Sequence, residues 1–338
     1  MKIYNKKGLS EFHQSLTYDD ISLIPTQISR VKSRTEAATN CRFLGLNLLL
    51  PVISSPMDTV TGLEMAIELG KLGCAGILNR FDSSIDDIIK NHINDGSVKA
   101  VSIALNTGND IIERLAEHQK IICIDTANAN NNAVLKKTEE IKKRFNVNII
   151  VGNIAHGASL RQLEDAGADA VRVGIGSGSV CTTSIQTGIG IGQVSSLLSV
   201  LFARSEMKLK IQIIADGGIK SPGDIAKAIA LGADAVMLGR MLAGTKETPD
   251  DVIKYNGQLW KKYRGSASFG VKMKNEFIEG EETMVPYKGA VKNVIDNISD
   301  GLRSSMSYMN CFTLDELRKI ETFAVLSNSS YIERLPRI

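Results

Sequence analysis

The segment Gly174-Ile175-Gly176-Ser177-Gly178-Ser179-Val180-Cys181-Thr182-Thr183 carries the densest concentration of reactive side chains in the sequence. A cysteine stands there behind a glycine-rich turn, with hydroxyls at Ser179, Thr182 and Thr183. A thiolate is a strong nucleophile and a good leaving group, suited to transient addition at an electron-poor ring carbon. Cys181 is therefore the candidate nucleophile, whereas Cys41, Cys74, Cys123 and Cys311 read as inert core thiols. A second cluster, Asp216-Gly217-Gly218 followed by Ser221-Pro222-Gly223-Asp224, has the composition of a phosphate site. Its glycines allow close backbone approach, and a helix start offers N–H groups to an anion. Gly239-Arg240 adds another glycine and a cation after a separate apolar run.

Groups so far apart in the chain act together only if a scaffold gathers their loops. The apolar runs Leu48–Ser54, Ala75–Leu78, Ala100–Ala104, Ile121–Asp125, Asn148–Gly152, Ala170–Gly174, Ile211–Asp216 and Ala235–Gly239 read as strands buried on both faces. Amphipathic segments such as Leu63–Lys71, Asn132–Phe145, Ser159–Ala166 and Asp224–Leu231 alternate with them. Eight such units predict an α/β fold, the (β/α)8 TIM barrel, with an open doubly wound sheet as the competing architecture. A local repeat, AGADAVRVG at Ala166–Gly174 and LGADAVMLG at Leu231–Gly239, supports repeated units. Each candidate group then falls on a loop after a strand, where barrel enzymes place their chemistry. The expected organisation is one domain over residues 1–338. Residues 1–47 would cover one barrel end, and residues from about 250 onward would form an irregular flap and tail with a final helix near Leu314–Ile320.

Composition excludes several classes. The chain has 338 residues and a net charge of only +3, with no dense basic block, which argues against a nucleic-acid partner. The cluster Lys136, Lys137, Lys142, Lys143 and Arg144 is interleaved with Glu139 and Glu140 and reads as a solvated helix face. No apolar stretch reaches the roughly 18 residues of a membrane span, and Met1 to Ser15 lacks the apolar core of a signal peptide. The five cysteines form no CxxC pair or metal-ligand spacing, so reduced thiols in a cytoplasmic protein are expected.

Several motifs, in order along nearly the whole chain, resemble the IMP dehydrogenase/GMP reductase family. They are LTYDD (Leu16–Asp20), SSPMDTVT (Ser54–Thr61), GIGSGSVCTT (Gly174–Thr183), ADGGI (Ala215–Ile219), YRG (Tyr263–Gly265), VPYKG (Val285–Gly289) and LRSSMSY (Leu302–Tyr308). The resemblance implies that Cys181 bonds covalently to purine C2, with Thr183 and Glu279 handling protons. It implies that Asp216 holds the ribose hydroxyls, that Ser179, Gly218, Gly239, Arg240 and Tyr263 surround the phosphate, and that Ser55 and Met57 line the nucleotide pocket. Asp125 and Asn128 would lie at the nicotinamide, and the carbonyls of Gly176, Gly178 and Cys181 would hold a monovalent cation, K+. The implied ligand is a purine nucleotide monophosphate, and the implied assembly a homotetramer.

The two branches of that family differ in the flap. Dehydrogenases oxidise IMP to XMP with NAD and use an Arg-Tyr pair to activate water; most also carry a CBS module. Reductases release ammonia from GMP and take hydride from NADPH to give IMP. Here His92–Ser97 runs straight toward the third strand without a CBS insert, and the segment between Gly265 and Pro286, SASFGVKMKNEFIEGEETMV, has neither Arg nor Tyr. The expectation is therefore the reductase reaction with NADPH. The alternatives are a CBS-less dehydrogenase, which the SSPMDTVT spelling favours, and a nucleotide-binding barrel without turnover. Ser184 and Arg240 depart from the usual spelling. The acidic Glu276 and Glu281 stand where cations are common, which makes NADH the alternative cofactor.

Overall fold

In the computed structural model, which describes residues 3–11, 14–81, 98–118, 120–265 and 280–336, eight parallel strands close into a barrel. They are β1 (Val52–Ser54), β2 (Ala75–Leu78), β3 (Ala100–Ile103), β4 (Ile121–Asp125), β5 (Asn148–Ile154), β6 (Ala170–Val173), β7 (Gln212–Asp216) and β8 (Ala235–Leu238). Closure is direct, since β8 pairs with β1 in the register Val236↔Val52 and Leu238↔Ser54. The (β/α)8 barrel expected from the apolar runs is the observed architecture, and the open sheet is excluded. Around it lie α1 (Leu63–Lys71), α2 (Asn109–His118), α3 (Asn132–Arg144), α4 (Leu160–Asp165), α5 (Gln193–Glu206) and α6 (Pro222–Leu231), with α7 (Val291–Tyr308) following the barrel. No helix among the described residues is long and apolar enough to cross a membrane.

Alternate strand residues point inward. Ile53, Ala75, Ile77, Ala100, Ile121, Cys123, Ile150, Ala170, Ile214, Ala235 and Met237 form one interior cluster, separate from the larger core between strands and helices. Phe43 and Leu48 complete that interior cluster from outside the barrel. They belong to a hairpin, Cys41–Phe43 paired with Leu46–Leu48, that closes the end opposite the catalytic face. The first barrel strand is accordingly shorter than its apolar run suggests. Leu48 belongs to the hairpin, Leu49 is exposed, and Pro51 offers no N–H to a ladder.

The sequence repeat has a structural cause. Gly167 and Gly232, at φ +101° and +126°, each turn a helix end into the next strand. Two residues on, Asp169 accepts the Ile149 N–H at 2.7 Å and the Lys142 ammonium at 2.6 Å. Asp234 does the same with the Ile213 N–H at 2.7 Å and with Arg204. Each aspartate thus ties a turn to the preceding strand and to a neighbouring helix. Lys142 is in this way a structural partner as well as part of a solvated face.

The region after residue 250 is more regular than expected. Ile253–Tyr255, Gln258–Arg264 and Glu282–Pro286 form an antiparallel sheet at the base of the flap. The 18-residue α7 buries Val291, Ile295, Ile298, Leu302 and Met306 on one stripe, packing against α6.

Candidate active site

The β6 strand ends in a loop whose course glycine makes available. Gly174 lies at φ +145°, and a Cβ there would fall on the Asp216 carbonyl oxygen, so the β6 and β7 ends approach as closely as backbones allow. Gln193, buried at the start of α5, secures the loop by donating to the Val173 carbonyl at 2.6 Å and accepting from the Ser177 hydroxyl at 2.8 Å. Farther along, Ser184 packs between Gly176 and Gly190, where any side chain would collide with it. A short residue at 184 is thus built into this loop.

This loop and its neighbours enclose a cavity of about 340 Å³. Ser55, Met57, Ser179, Cys181, Thr183 and Tyr263 line it, as do Asp125, Asp216, Gly176 and Gly178. Cys181 is half-buried, and its thiol donates to the Thr183 Oγ1 at 3.2 Å. The chain after residue 280 returns beside this pair. Gly280 forms an antiparallel bridge with Cys181, the Glu281 N–H donates to the Val180 carbonyl at 3.0 Å, and the Gly265 N–H donates to the Glu281 carbonyl at 3.0 Å. Glu279, the expected proton partner of Thr183, lies outside the described residues, as does Glu276.

Also lining the cavity, Ser179 and Tyr263 share a hydrogen bond of 2.9 Å between their hydroxyls. Burial raises the Tyr263 phenol above its ordinary range, and either hydroxyl of the pair can be the donor. Gly239 packs beside Tyr263, Met57 and Ser55 at the cavity edge rather than among its lining residues. Arg240 is exposed at the rim, close enough to Tyr263 and Lys288 to influence both. Lys288 donates to the carbonyls of Arg240 and Met241 at 2.9 and 3.1 Å, and burial followed by the Arg240 charge lowers its pKa.

Two expected site residues stand back from the cavity. Asn128 is exposed, and its carboxamide accepts the Asn130 N–H at 3.0 Å within its own loop; Thr126 and Ala127 line the wall there instead. Gly218 lies behind Gly217 with its N–H given to the Ser177 carbonyl at 3.0 Å. The start of α6 is also occupied by the chain itself. Ser221 caps it, and the buried Asp224 carboxylate accepts from the Lys220 N–H and the Ser221 hydroxyl and pairs with Lys227. An anion already sits where the helix dipole would draw one. The groups free to meet an anion therefore lie on the β6 and β8 side, around Ser179, Gly239, Arg240 and Tyr263.

The floor of the cavity holds groups that spacing in the sequence did not reveal. Arg172 on β6 reaches Asp125 on β4 and Asp216 on β7; Asn153 on β5 also donates to Asp216, at 2.9 Å, and to the Gly174 carbonyl, at 2.7 Å. Arg80, after β2, donates to the second oxygen of Asp125 at 3.3 Å and stacks on Phe81. Burial by itself disfavours the Arg172 charge, but Asp216 and Asp125 outweigh it and raise its pKa. Asp125 thus faces the cavity as part of a neutralised cluster, not as a bare anion. The Gly178 carbonyl accepts the Cys181 N–H at 3.1 Å, which leaves its second lone pair for a cation.

A half-buried thiol beside a hydroxyl, a neutral phenol–serine pair with a rim cation, and a carboxylate on the floor suit a phosphorylated, hydroxyl-bearing ligand presented to a nucleophile. A family model described as IMP dehydrogenase / GMP reductase domain matches residues 15–337. The chain is 36% identical over 322 residues to the GMP reductase of Bacillus subtilis (strain 168), covering 93% of this chain and 97% of that one. Its identity to the GMP reductase of Ligilactobacillus salivarius (strain UCC118) is 35%, with the same coverage. It is 33% identical over 393 residues to the inosine-5'-monophosphate dehydrogenase of Borreliella burgdorferi, covering 96% of each chain.

Proposed function

The chain belongs to the IMP dehydrogenase/GMP reductase family, an oxidoreductase family of purine nucleotides, and we propose that its own reaction is the reductive deamination of GMP. The observation that carries this reading is the flap. Gly280 is bridged to Cys181, and the sequence SASFGVKMKNEFIEGEETMV, to which Gly280 belongs, contains no Arg-Tyr pair to activate water. Without that pair in the flap, reduction rather than hydrolysis is the exit this reading assigns to an adduct at Cys181. Relatives named GMP reductase support the same reading.

In this account the Cys181 thiolate adds to C2 of GMP, the exocyclic amine is protonated by the Thr183–Glu279 pair and leaves as ammonia, and the C2 adduct remains on sulfur. Hydride supplied by reduced nicotinamide then reaches C2, and the thiolate leaves to give IMP. The balance is GMP, NADPH and two protons to IMP, NADP+ and ammonium. Ser179, Tyr263, Gly239 and Arg240 hold the phosphate, with Gly218 supporting their loop from behind Gly217 through its bond to the Ser177 carbonyl; Asp216 holds the ribose hydroxyls, and Ser55 and Met57 the base. The nicotinamide would lie along Asp125, whose charge and that of Asp216 are balanced by Arg172 and Arg80, so no bare anion faces it. Asn128, exposed in the same loop, would meet the outer part of the cofactor. Carbonyls of Gly176, Gly178 and Cys181 would hold K+. The proposed assembly is a homotetramer in the cytoplasm, and the exposed Ile185, Ile189, Tyr255 and Leu259 offer apolar surface to a second copy. The proposed domain organisation is a single one over residues 1–338.

The test is a spectrophotometric comparison of GMP with NADPH, GMP with NADH, and IMP with NAD. GMP-dependent oxidation with ammonia release is the expected result, and the faster reduced cofactor identifies the preference. NADH formation from IMP would instead favour the dehydrogenase reading, which the Borreliella burgdorferi relative supports. Nucleotide binding with no turnover in any pairing would leave a binding protein.

A further inference from the structure

We propose that Arg172 is a positioning residue: it fixes which oxygen of Asp216 faces the nucleotide and joins that carboxylate to Asp125, so ribose recognition and the cofactor wall share one guanidinium. The inference rests on the nucleotide reading above and assigns a role to a residue that reading does not use.

The placement follows from strand periodicity. Cys123, Ala170 and Ile214 belong to the barrel's interior cluster, and Asp125, Arg172 and Asp216 each stand two residues farther along the same strands. All three therefore point into the barrel, one layer above the apolar filling. There the Arg172 Nη1 donates to Asp125 Oδ1 at 2.6 Å, while its Nε and Nη2 reach Asp216 Oδ2 at 3.0 and 2.9 Å. Asn153 adds a further donor to that same Oδ2. Donors thus converge on one oxygen of Asp216, while Oδ1 accepts no hydrogen bond from the described residues and Asp216 lines the cavity. A carboxylate held this way offers a ligand a single acceptor oxygen of fixed direction, suited to the hydroxyl donors of a ribose.

Only a guanidinium performs this task. Its planar fork has edges that bond two carboxylates at once, whereas an ammonium is a point charge able to favour one. The Arg172 side chain is 8% exposed and those of Asp125 and Asp216 are 9% and 14%, so solvent cannot replace the missing donors without rearrangement. Arg172 itself borders the cavity, but all three of its guanidinium nitrogens are engaged by Asp125 and Asp216, so its loss acts on the ligand chiefly by freeing both carboxylates to turn.

The test compares affinities for GMP and for 2'-deoxy-GMP on the same preparation, for the wild type, Arg172→Lys, Arg172→Met and Asp216→Asn, together with the KM of the reduced cofactor. The wild type is expected to prefer GMP by roughly tenfold or more, the worth of one hydrogen bond to a charged group. In both Arg172 variants that ratio should fall toward the value in Asp216→Asn, and the cofactor KM should rise. A ratio of two affinities cancels the fraction of folded protein, so general destabilisation does not imitate the result, and Arg172→Lys carries the test if Arg172→Met does not fold. A wild-type ratio preserved in Arg172→Lys would overturn the inference while leaving the nucleotide reading intact. Failure of the wild type to bind GMP would overturn both.

Discussion

The thiol of Cys181 points at the Thr183 hydroxyl across 3.2 Å, and the flap is bridged to the same cysteine through Gly280. The thiol proposed as nucleophile and the hydroxyl proposed to handle protons are therefore on one side of the cavity, with Gly280 paired beside them. That relationship separates Cys181 from the other thiols. Burial pushes Cys74 and Cys123 up to about 12, and Cys41 and Cys311 up to about 11. A thiolate-selective alkylating reagent at neutral pH should consequently modify Cys181 first, with parallel loss of activity and protection by GMP. Peptide mapping checks the order, and first labelling at Cys74 or Cys123 would contradict it.

The same raised thiols set an alkaline limit on stability. Their folded-state pKa lies above the unfolded value of 9.0, so the folded chain keeps protons that the unfolded chain gives up. This stabilisation is complete below about pH 9 and is lost as pH rises toward about 12. Urea midpoints should fall with pH above 9.0, less steeply for Cys74→Ala than for the wild type. Equal slopes would remove Cys74 from the explanation.

Tyr263 should act in binding rather than in chemistry. Its hydroxyl meets Ser179 at 2.9 Å, and burial raises the phenol further above neutral pH. Tyr263→Phe is expected to raise the nucleotide KM about tenfold with kcat nearly unchanged, the pattern of a lost uniform binding contact. A kcat loss of similar size with unchanged KM would place the phenol in the reaction itself.

Two glycines in the Cys181 loop should respond differently to alanine. At Gly174 the new Cβ meets the Asp216 carbonyl, whereas at Gly188, with φ +73°, it meets nothing within 4 Å. Gly174→Ala should cost about 2 kcal/mol or more and abolish nucleotide binding, while Gly188→Ala costs roughly 1 kcal/mol for its left-handed backbone and retains binding. Chemical denaturation and nucleotide titration of the pair decide the matter.

The barrel was legible because strands buried on both faces must be continuous apolar runs, and β2 (Ala75–Leu78) and β4 (Ile121–Asp125) match their runs end to end. Ser55, Met57, Asp125, Ser179, Cys181 and Asp216 meet at one cavity for the same reason, since a closed barrel brings every strand end to one face, whereas Asn128 and Gly218 stand back from it. The Arg172 cluster was not legible. Its partners lie 47 and 44 residues away, and nothing in sequence spacing joins them. One signal existed in the repeat, where Arg172 aligns with Met237: a cation replacing an apolar residue in otherwise matching strands needs a partner. The start of α6 misled in the other direction, because Asp224, the chain's own anion, occupies it. The stripe of Val291, Ile295, Ile298, Leu302 and Met306 was present in the sequence, but Gly301 and several polar residues obscured the helix around it.

The central claim is reduction of GMP through a bond to Cys181. The most direct measurement compares the wild type with Cys181→Ala for GMP-dependent oxidation of reduced nicotinamide, with ammonia and GMP affinity determined on the same samples. The account predicts equimolar ammonia and oxidised cofactor from the wild type, and no turnover from Cys181→Ala with GMP affinity within a few-fold of wild type. Turnover retained by Cys181→Ala, or oxidation of the cofactor without ammonia, would contradict it.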